Sequence, residues 1–337
     1  MKIGILTQPL VNNYGGTLQN YALQQVLKKL GHDPITIDYI PKSSLIDYLL
    51  ACLKTMFLFF IPSKRRSFRS HPRRKLRNAQ FDKFTRTYIL TTKTVSRLRN
   101  SLIDEYGIDI LIVGSDQVWR PRYNPYVEDM FFKFVKNDNL RRLSYAASFG
   151  TDEWEYTPKQ TILIRALINK FMAVSVREES GIKFCESNLS VKAQQVLDPT
   201  LLLEEADYRT LCKNIPEDKN KYILAYILDV TQDKEEEIAR IEDSEKMNVK
   251  YCHAENDATL TVEEWIARFR DASYVITDSF HGTVFSIIFG KPFTCLKNST
   301  RGSSRFDTLL SIYNNGHIEK KQKESLGYLN NILNLNK

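Results

Sequence analysis

The residues best suited to chemistry lie in the stretch 274–293, YVITDSFHGTVFSIIFGKPF. An apolar run, Tyr274-Val275-Ile276, breaks into Thr277-Asp278-Ser279 and reaches His281-Gly282. A mostly apolar helical segment follows, stopped by Gly290-Lys291-Pro292. This pattern predicts a buried strand, a polar turn and a helix N-terminus. Free N–H groups at such a terminus favour an anion. An imidazole titrates near neutrality, so His281 suits a general acid or base. A lone histidine there is more often satisfied by local backbone. Asp278, Ser279 and Gly282 around it, at a strand exit, turn the reading towards function.

Other polar clusters share that position after a predicted strand. Asn12-Asn13-Tyr14-Gly15-Gly16 follows the first strand, and Gly114-Ser115-Asp116-Gln117-Val118-Trp119 follows the apolar run DILIV. Ser148-Phe149-Gly150 and Arg177-Glu178-Glu179-Ser180 are two more. In open α/β sheets such loops line one edge, where ligands bind. Arg177 suits bidentate binding of phosphate or carboxylate, with a salt bridge to a neighbouring acid as the alternative. Asp116 suits a base or a hydroxyl acceptor, or else caps the next helix. Trp119 could stack on a sugar but reads more readily as core. Arg301-Gly302-Ser303-Ser304-Arg305 has the small residues and charge of an anion-binding turn, or is a solvated loop. Asn13, Gly15, Gly114, Ser115, Arg177, Ser279, Arg301, Ser304 and Arg305 are the candidate binding residues, and His281 and Asp116 the candidate catalytic ones.

Alternating elements must position these loops. Strands are expected at 2–6, 35–38, 109–113, 143–146, 172–176 and 195–197, and a second series at 222–228, 249–252, 274–277 and 292–296. Helical periodicity runs from Thr17 to Leu30 with Gly31 at its end, and from Thr261 to Arg270 with a capping-box start, Thr261 and Glu264. The expected fold is α/β: two doubly wound Rossmann-like domains facing across a cleft. Residues 1–203 form the first, with an apolar-basic insertion at 45–77. Residues 204–315 form the second, and 316–337 a helical tail.

At 337 residues, with 42% hydrophobic and 26% charged residues, the chain has the make-up of an ordinary soluble globular protein. The net charge of +8 is local: residues 64–77 hold eight Lys or Arg and no acid. With the apolar stretch 45–61 before it, this run reads either as an interfacial membrane contact or as a packed helix with a solvated basic face. No nucleic-acid-reading motif accompanies it, so no nucleic acid partner is expected. Five cysteines without CxxC spacing fit reduced thiols and a cytoplasmic setting. No signal-peptide pattern opens the chain. Cys252-His253 has no second pair at metal spacing, so no metal is expected.

The motifs DILIVGSDQVW, SVREESG, VLDPTLLL and DSFHGTVFSIIFGKPF, with the opening NNYGGTLQNYAL, resemble the polysaccharide pyruvyl transferase family. The resemblance runs in order from residue 1 to about residue 313. It implies a two-domain architecture like that of GT-B glycosyltransferases. It also implies transfer of pyruvate from phosphoenolpyruvate onto two sugar hydroxyls as a cyclic ketal, with phosphate released and no cofactor. The acceptor would be a polysaccharide or lipid-linked oligosaccharide. By this resemblance His281 matches the family's active-site histidine and Arg177 an arginine on phosphoenolpyruvate. The chain has Ser279-Phe280-His281 where members carry Arg-Leu-His, and Gly16-Thr17 where Gly-Asp is common. Arg301 or Arg305 would then supply the missing charge. A nucleotide-sugar glycosyltransferase on the same fold is the second reading. A non-catalytic protein binding through residues 64–77 is the third.

Overall fold

A computed structural model describes residues 1–41, 78–253, 260–296 and 304–334. The segment 45–77 and Arg301 lie outside these residues.

Strands β1 (Lys2–Leu6), β2 (Asp33–Thr36), β3 (Ile110–Val113) and β4 (Arg141–Ser144) form a parallel sheet in the order β2-β1-β3-β4. Bridges from Leu143 to Ala173 and from Ala147 to Val176 extend it to β5 (Ser175–Val176), which pairs with β6 (Gln194–Gln195). The four residues of β3, Ile-Leu-Ile-Val, are buried throughout, as a parallel strand covered on both faces requires. Helix α1 (Tyr14–Lys29) starts where Asn13 accepts a bond from Gly16 N. It stops before Gly31, whose φ of +81° suits glycine. Helices α2 (Ala79–Tyr88) and α3 (Ser101–Tyr106) flank an extended run in which Thr91 and Val95 bridge to Thr36 and Tyr39. Those β-branched residues are poor helix formers and good strand neighbours. Further along lie α4 (Pro158–Ile168), α5 (Glu179–Leu189) and α6 (Glu205–Leu211).

The second parallel sheet comprises β7 (Ile223–Ile227), β8 (Val249–His253), β9 (Tyr274–Thr277) and β10 (Phe293–Cys295), ordered β10-β9-β7-β8. Its helices are α7 (Gln232–Glu245), α8 (Val262–Asp271) and α9 (Phe280–Ile288). The capping box of α8 forms between Thr261 and Glu264. In each sheet the chain reverses its winding direction once, between β1 and β3 and between β7 and β9. Ligands gather at such switch points, outside the strand C-termini.

One apolar cluster joins the two sheets. Tyr14 of α1 stacks on Trp265 of α8, with centroids 5.2 Å apart and planes 8° apart, and its hydroxyl donates to Leu260 O at 2.9 Å. After α10 (Ser304–Asn314), helix α11 (Ile318–Asn334) returns to the first sheet, where Leu197 N donates to Ser325 Oγ at 3.0 Å. The strand ends of both sheets are thereby held facing one another. Among the described residues no helix is long and apolar enough to cross a membrane.

Candidate active site

His281 owes its position to the start of α9. Ser279, with extended backbone, caps the helix by accepting a bond from Gly282 N at 3.3 Å. A Cβ on Gly282 would lie 2.2 Å from Thr277 Oγ1, so glycine lets the first turn close against β9. Asp278 is engaged by the loop after β7. Its buried carboxylate accepts from Leu228 N (2.6 Å), Asp229 N (3.1 Å) and Lys234 Nζ (2.6 Å), tying the loop after β7 to the loop after β9.

The hub of the site is Asp198, which sequence reasoning did not single out. It is 0% exposed. Its Oδ2 accepts from Arg177 Nη1 at 2.6 Å and from Ser115 Oγ at 2.8 Å, and lies 3.7 Å from His281 Nε2. The last is an ion-pair distance, longer than a hydrogen bond. Oδ1 accepts from Thr200 Oγ1 (2.6 Å) and Thr200 N (3.0 Å). Burial opposes the charge on Asp198, but His281, Arg177 and Thr200 outweigh it and hold the carboxyl well below the ordinary range. The signal in the sequence was an acid at a strand exit. Asp198-Pro199 reads there as an ordinary cap for the short helix Pro199–Leu202, and it is that as well.

Arg177 leaves β5 and is buried. Besides Asp198 it faces Asp116 Oδ1, 3.6 Å from Nη2, and its guanidinium lies over the Phe280 ring at 4.3 Å. The salt bridges it makes are to distant acids brought in by the fold, rather than to its sequence neighbours. Burial lowers its pKa, but Asp198, Asp116 and Glu178 prevail and raise it. Arg305, the second residue of α10, brings another buried guanidinium to 5.7 Å from the same ring. Burial and the like charge of Arg177 push Arg305 down to about 10. Ser304 heads α10, its hydroxyl buried without a hydrogen-bond partner. Glu178 braces the neighbouring loop, its Oε1 accepting from Ser148 Oγ (2.9 Å), Phe149 N (2.8 Å) and Gly150 N (3.1 Å).

Asp116 follows β3 with φ at +76°, and its Oδ1 accepts from Gln117 N at 2.8 Å. The helix it was expected to cap as an alternative does not form; the next helical turn starts at Val127. Gly15, in the first turn of α1, lies directly against the His281 ring. Asn13 is spent on capping α1, and Gly114 extends the sheet through a 2.7 Å bond from its N to Leu6 O. Trp119 is core, 0% exposed and stacked on Phe131 at 4.9 Å. The fold therefore gathers His281, Arg177, Asp116, Ser115, Arg305 and Gly15 around Asp198 and Phe280. Asn13, Gly114 and Ser279 shape their elements. A narrow cavity lined by Arg177, Asp198, Phe280 and Arg305 has a free volume of about 10 Å³, room for about one water. Among the described residues no group of three or more His, Cys, Asp or Glu side chains could hold a metal ion.

Comparison with known proteins bears on the fold and on the family. The chain is similar in structure to UDP-GlcNAc 2-epimerase from Neisseria meningitidis, at 10% identity and TM-score 0.50, covering 100% of both chains. It also matches an alpha-glucosyltransferase solved with UDP and DNA, at 10% identity and TM-score 0.44, covering 98% of this chain and 95% of that one. The fold shared with the epimerase is GT-B-like, α/β with parallel sheets. No curated protein matches the sequence. The sequence model of the polysaccharide pyruvyl transferase family matches residues 13–300, so the chain belongs to that family of transferases.

Proposed function

We propose that this enzyme moves the pyruvyl group of phosphoenolpyruvate onto two hydroxyls of a sugar as a cyclic ketal and releases phosphate. The observation that carries the reading is the convergence of two buried guanidiniums, Arg177 and Arg305, on Phe280 beside His281. Phosphoenolpyruvate carries a phosphate and a carboxylate, and planar guanidiniums match both. Arg305 stands in for the charge absent at Ser279. An anion beside it offsets the burial and like-charge penalty that lowers its pKa.

The chemistry divides among the residues at hand. His281 gives a proton to C3 of phosphoenolpyruvate while a sugar oxygen bonds to C2, and Asp116 takes that hydroxyl's proton. The C2–O bond to phosphate then breaks, and the second hydroxyl bonds to C2 to close the ketal. Of the two hydroxyl protons, one replaces that given to C3 and one leaves with phosphate. Asp198 holds His281 and Arg177 in place.

Residues 1–203 then form the acceptor side, and 204–315 carry the histidine loop. The acceptor is a sugar of a polysaccharide precursor, carried on a lipid. Residues 45–77 would meet the membrane face. Asn78 N, in the first described residue after this segment, donates to Asn12 Oδ1 at 2.9 Å, in the opening loop of the site.

A nucleotide-sugar glycosyltransferase is the rival, suggested by the UDP-GlcNAc bound to the Neisseria epimerase. At 10% identity that similarity supports the fold alone. Thermal shift separates the two: phosphoenolpyruvate should raise the melting temperature and UDP-sugars should not, because only a ligand of the folded state stabilises it. The reverse pattern would favour the rival.

A further inference from the structure

The loop that leaves β3 through Asp116 ends in Arg120-Pro121-Arg122-Tyr123-Asn124-Pro125-Tyr126. It is fastened from beneath. Arg120 is 4% exposed; its Nε and Nη2 donate to Glu155 Oε1 at 3.2 and 3.0 Å, and its Nη1 to Gln117 Oε1 at 2.9 Å. Asn124 Nδ2 donates to Val118 O at 2.6 Å, and Tyr123 N to Arg120 O at 3.1 Å. On this fastened base Tyr123 stays 41% exposed, with the Arg120 guanidinium 5.0 Å from its ring centroid. Its hydroxyl is within electrostatic reach of Arg305. Tyr126, three residues on, is 38% exposed.

A single exposed tyrosine is ordinary on a protein surface. This one differs in three respects. One ring face is covered by a buried, hydrogen-bonded arginine, so the ring is held in a fixed orientation. The loop begins at the candidate base, Asp116. Its hydroxyl is near enough to act on the charge of Arg305, which lines a cavity too small to take a sugar itself. Trp119, the aromatic that could have stacked on a sugar, is sealed in the core.

We propose that the Tyr123 ring is the stacking platform for the acceptor, a pyranoside that lays its apolar C–H face on the ring and its hydroxyls towards Asp116. The proposal rests on the pyruvyl transferase reading for the word acceptor, but its physical content is sugar binding at Tyr123. A rigid amphipathic ring binds a sugar face at little entropic cost, and a buried arginine beneath it fixes the ring in advance.

Saturation-transfer difference NMR on the full chain, without phosphoenolpyruvate, tests this with the methyl β-glycosides of glucose, galactose, mannose and N-acetylglucosamine. At least one should receive saturation on its ring protons. Tyr123→Ala should weaken that binding by about tenfold or more, and Tyr123→Trp should keep it. The exposed ring makes either variant neutral for folding, checked by an unchanged melting temperature. Equal saturation in Tyr123→Ala, or no glycoside bound by the native chain, would overturn the proposal. Because no donor is present, failure of the pyruvyl transferase reading leaves this outcome unaffected, and the reverse also holds.

Discussion

Gly15 and His281 touch: a Cβ built on Gly15 would lie 2.0 Å from His281 Nδ1 and 2.2 Å from Cγ. The first turn of α1, from one sheet, therefore sets the position of an imidazole carried by the other. Gly15→Ala must either rotate His281 off Asp198 or push α1 away from α9. Overpacking of this kind costs about 1–3 kcal/mol. The expected result is a melting temperature lower by several degrees and turnover lower by about 100-fold or more. Calorimetry and a phosphate-release assay on the same preparation check both. An alanine variant with native turnover would show that the contact is incidental.

Asp198 ties together groups that sequence places far apart. Asp198→Asn keeps the shape and removes the charge, which leaves the buried Arg177 short of its closest counter-ion. Breaking a buried pair in this way costs about 3–5 kcal/mol. The pH dependence has a definite sign. The folded pKa of Asp198 is depressed, so its contribution is present above the unfolded value, about 4, and is lost as pH falls below it. Urea midpoints measured from pH 7 to pH 3 should fall more steeply for the native chain than for the variant. Parallel curves would mean that Asp198 is not the charged hub described here.

Arg305 is expected to cost stability in the absence of ligand. Burial and Arg177 lower its pKa to about 10, so the penalty is present below that pH and lifts as pH rises through it. Arg305→Met, of similar volume, should raise the melting temperature of the ligand-free protein by a few degrees. It should also abolish the stabilisation given by phosphoenolpyruvate, a trade of function for stability. A variant less stable than the native chain that still responds to phosphoenolpyruvate would remove Arg305 from the donor site.

The Phe280 ring meets both arginines, with Arg177 at 4.3 Å and Arg305 at 5.7 Å. It is read as a positioning residue that fixes their spacing through its ring face. Phe280→Leu should raise the donor KM by about tenfold with little change in kcat, whereas Phe280→Tyr should leave both near native. An unchanged donor KM in the leucine variant would reduce Phe280 to a packing residue.

Much of this was legible in the sequence because the relevant physics is local. The apolar run of β3, the Asn13 cap, the Gly31 stop and the Thr261–Glu264 box all declare themselves within a few residues. The strand-exit loops could be set along one edge by topology alone, and that brought His281, Arg177, Asp116 and Arg305 into one list. What escaped depends on distant partners. Asp198 carries a local explanation as a cap, and only the tertiary fold shows Arg177, Ser115 and His281 around it. Helix α11 looked like a polar tail. The burial of Ser325, Leu329, Ile332 and Leu333 at helical spacing, against the first sheet, shows what that sparse pattern was for. Ser279 caps its helix with the same hydroxyl that a ligand contact would use.

The central claim is pyruvyl transfer from phosphoenolpyruvate through His281. Acceptor-dependent release of phosphate from phosphoenolpyruvate, assayed against a panel of glycosides and lipid-linked oligosaccharides, tests it most directly. The account predicts release by the native chain with at least one acceptor, and a loss of about 1,000-fold or more in His281→Ala with the melting temperature nearly unchanged. Native-level release by His281→Ala, or no release by the native chain with any acceptor while a UDP-sugar is consumed, would contradict it.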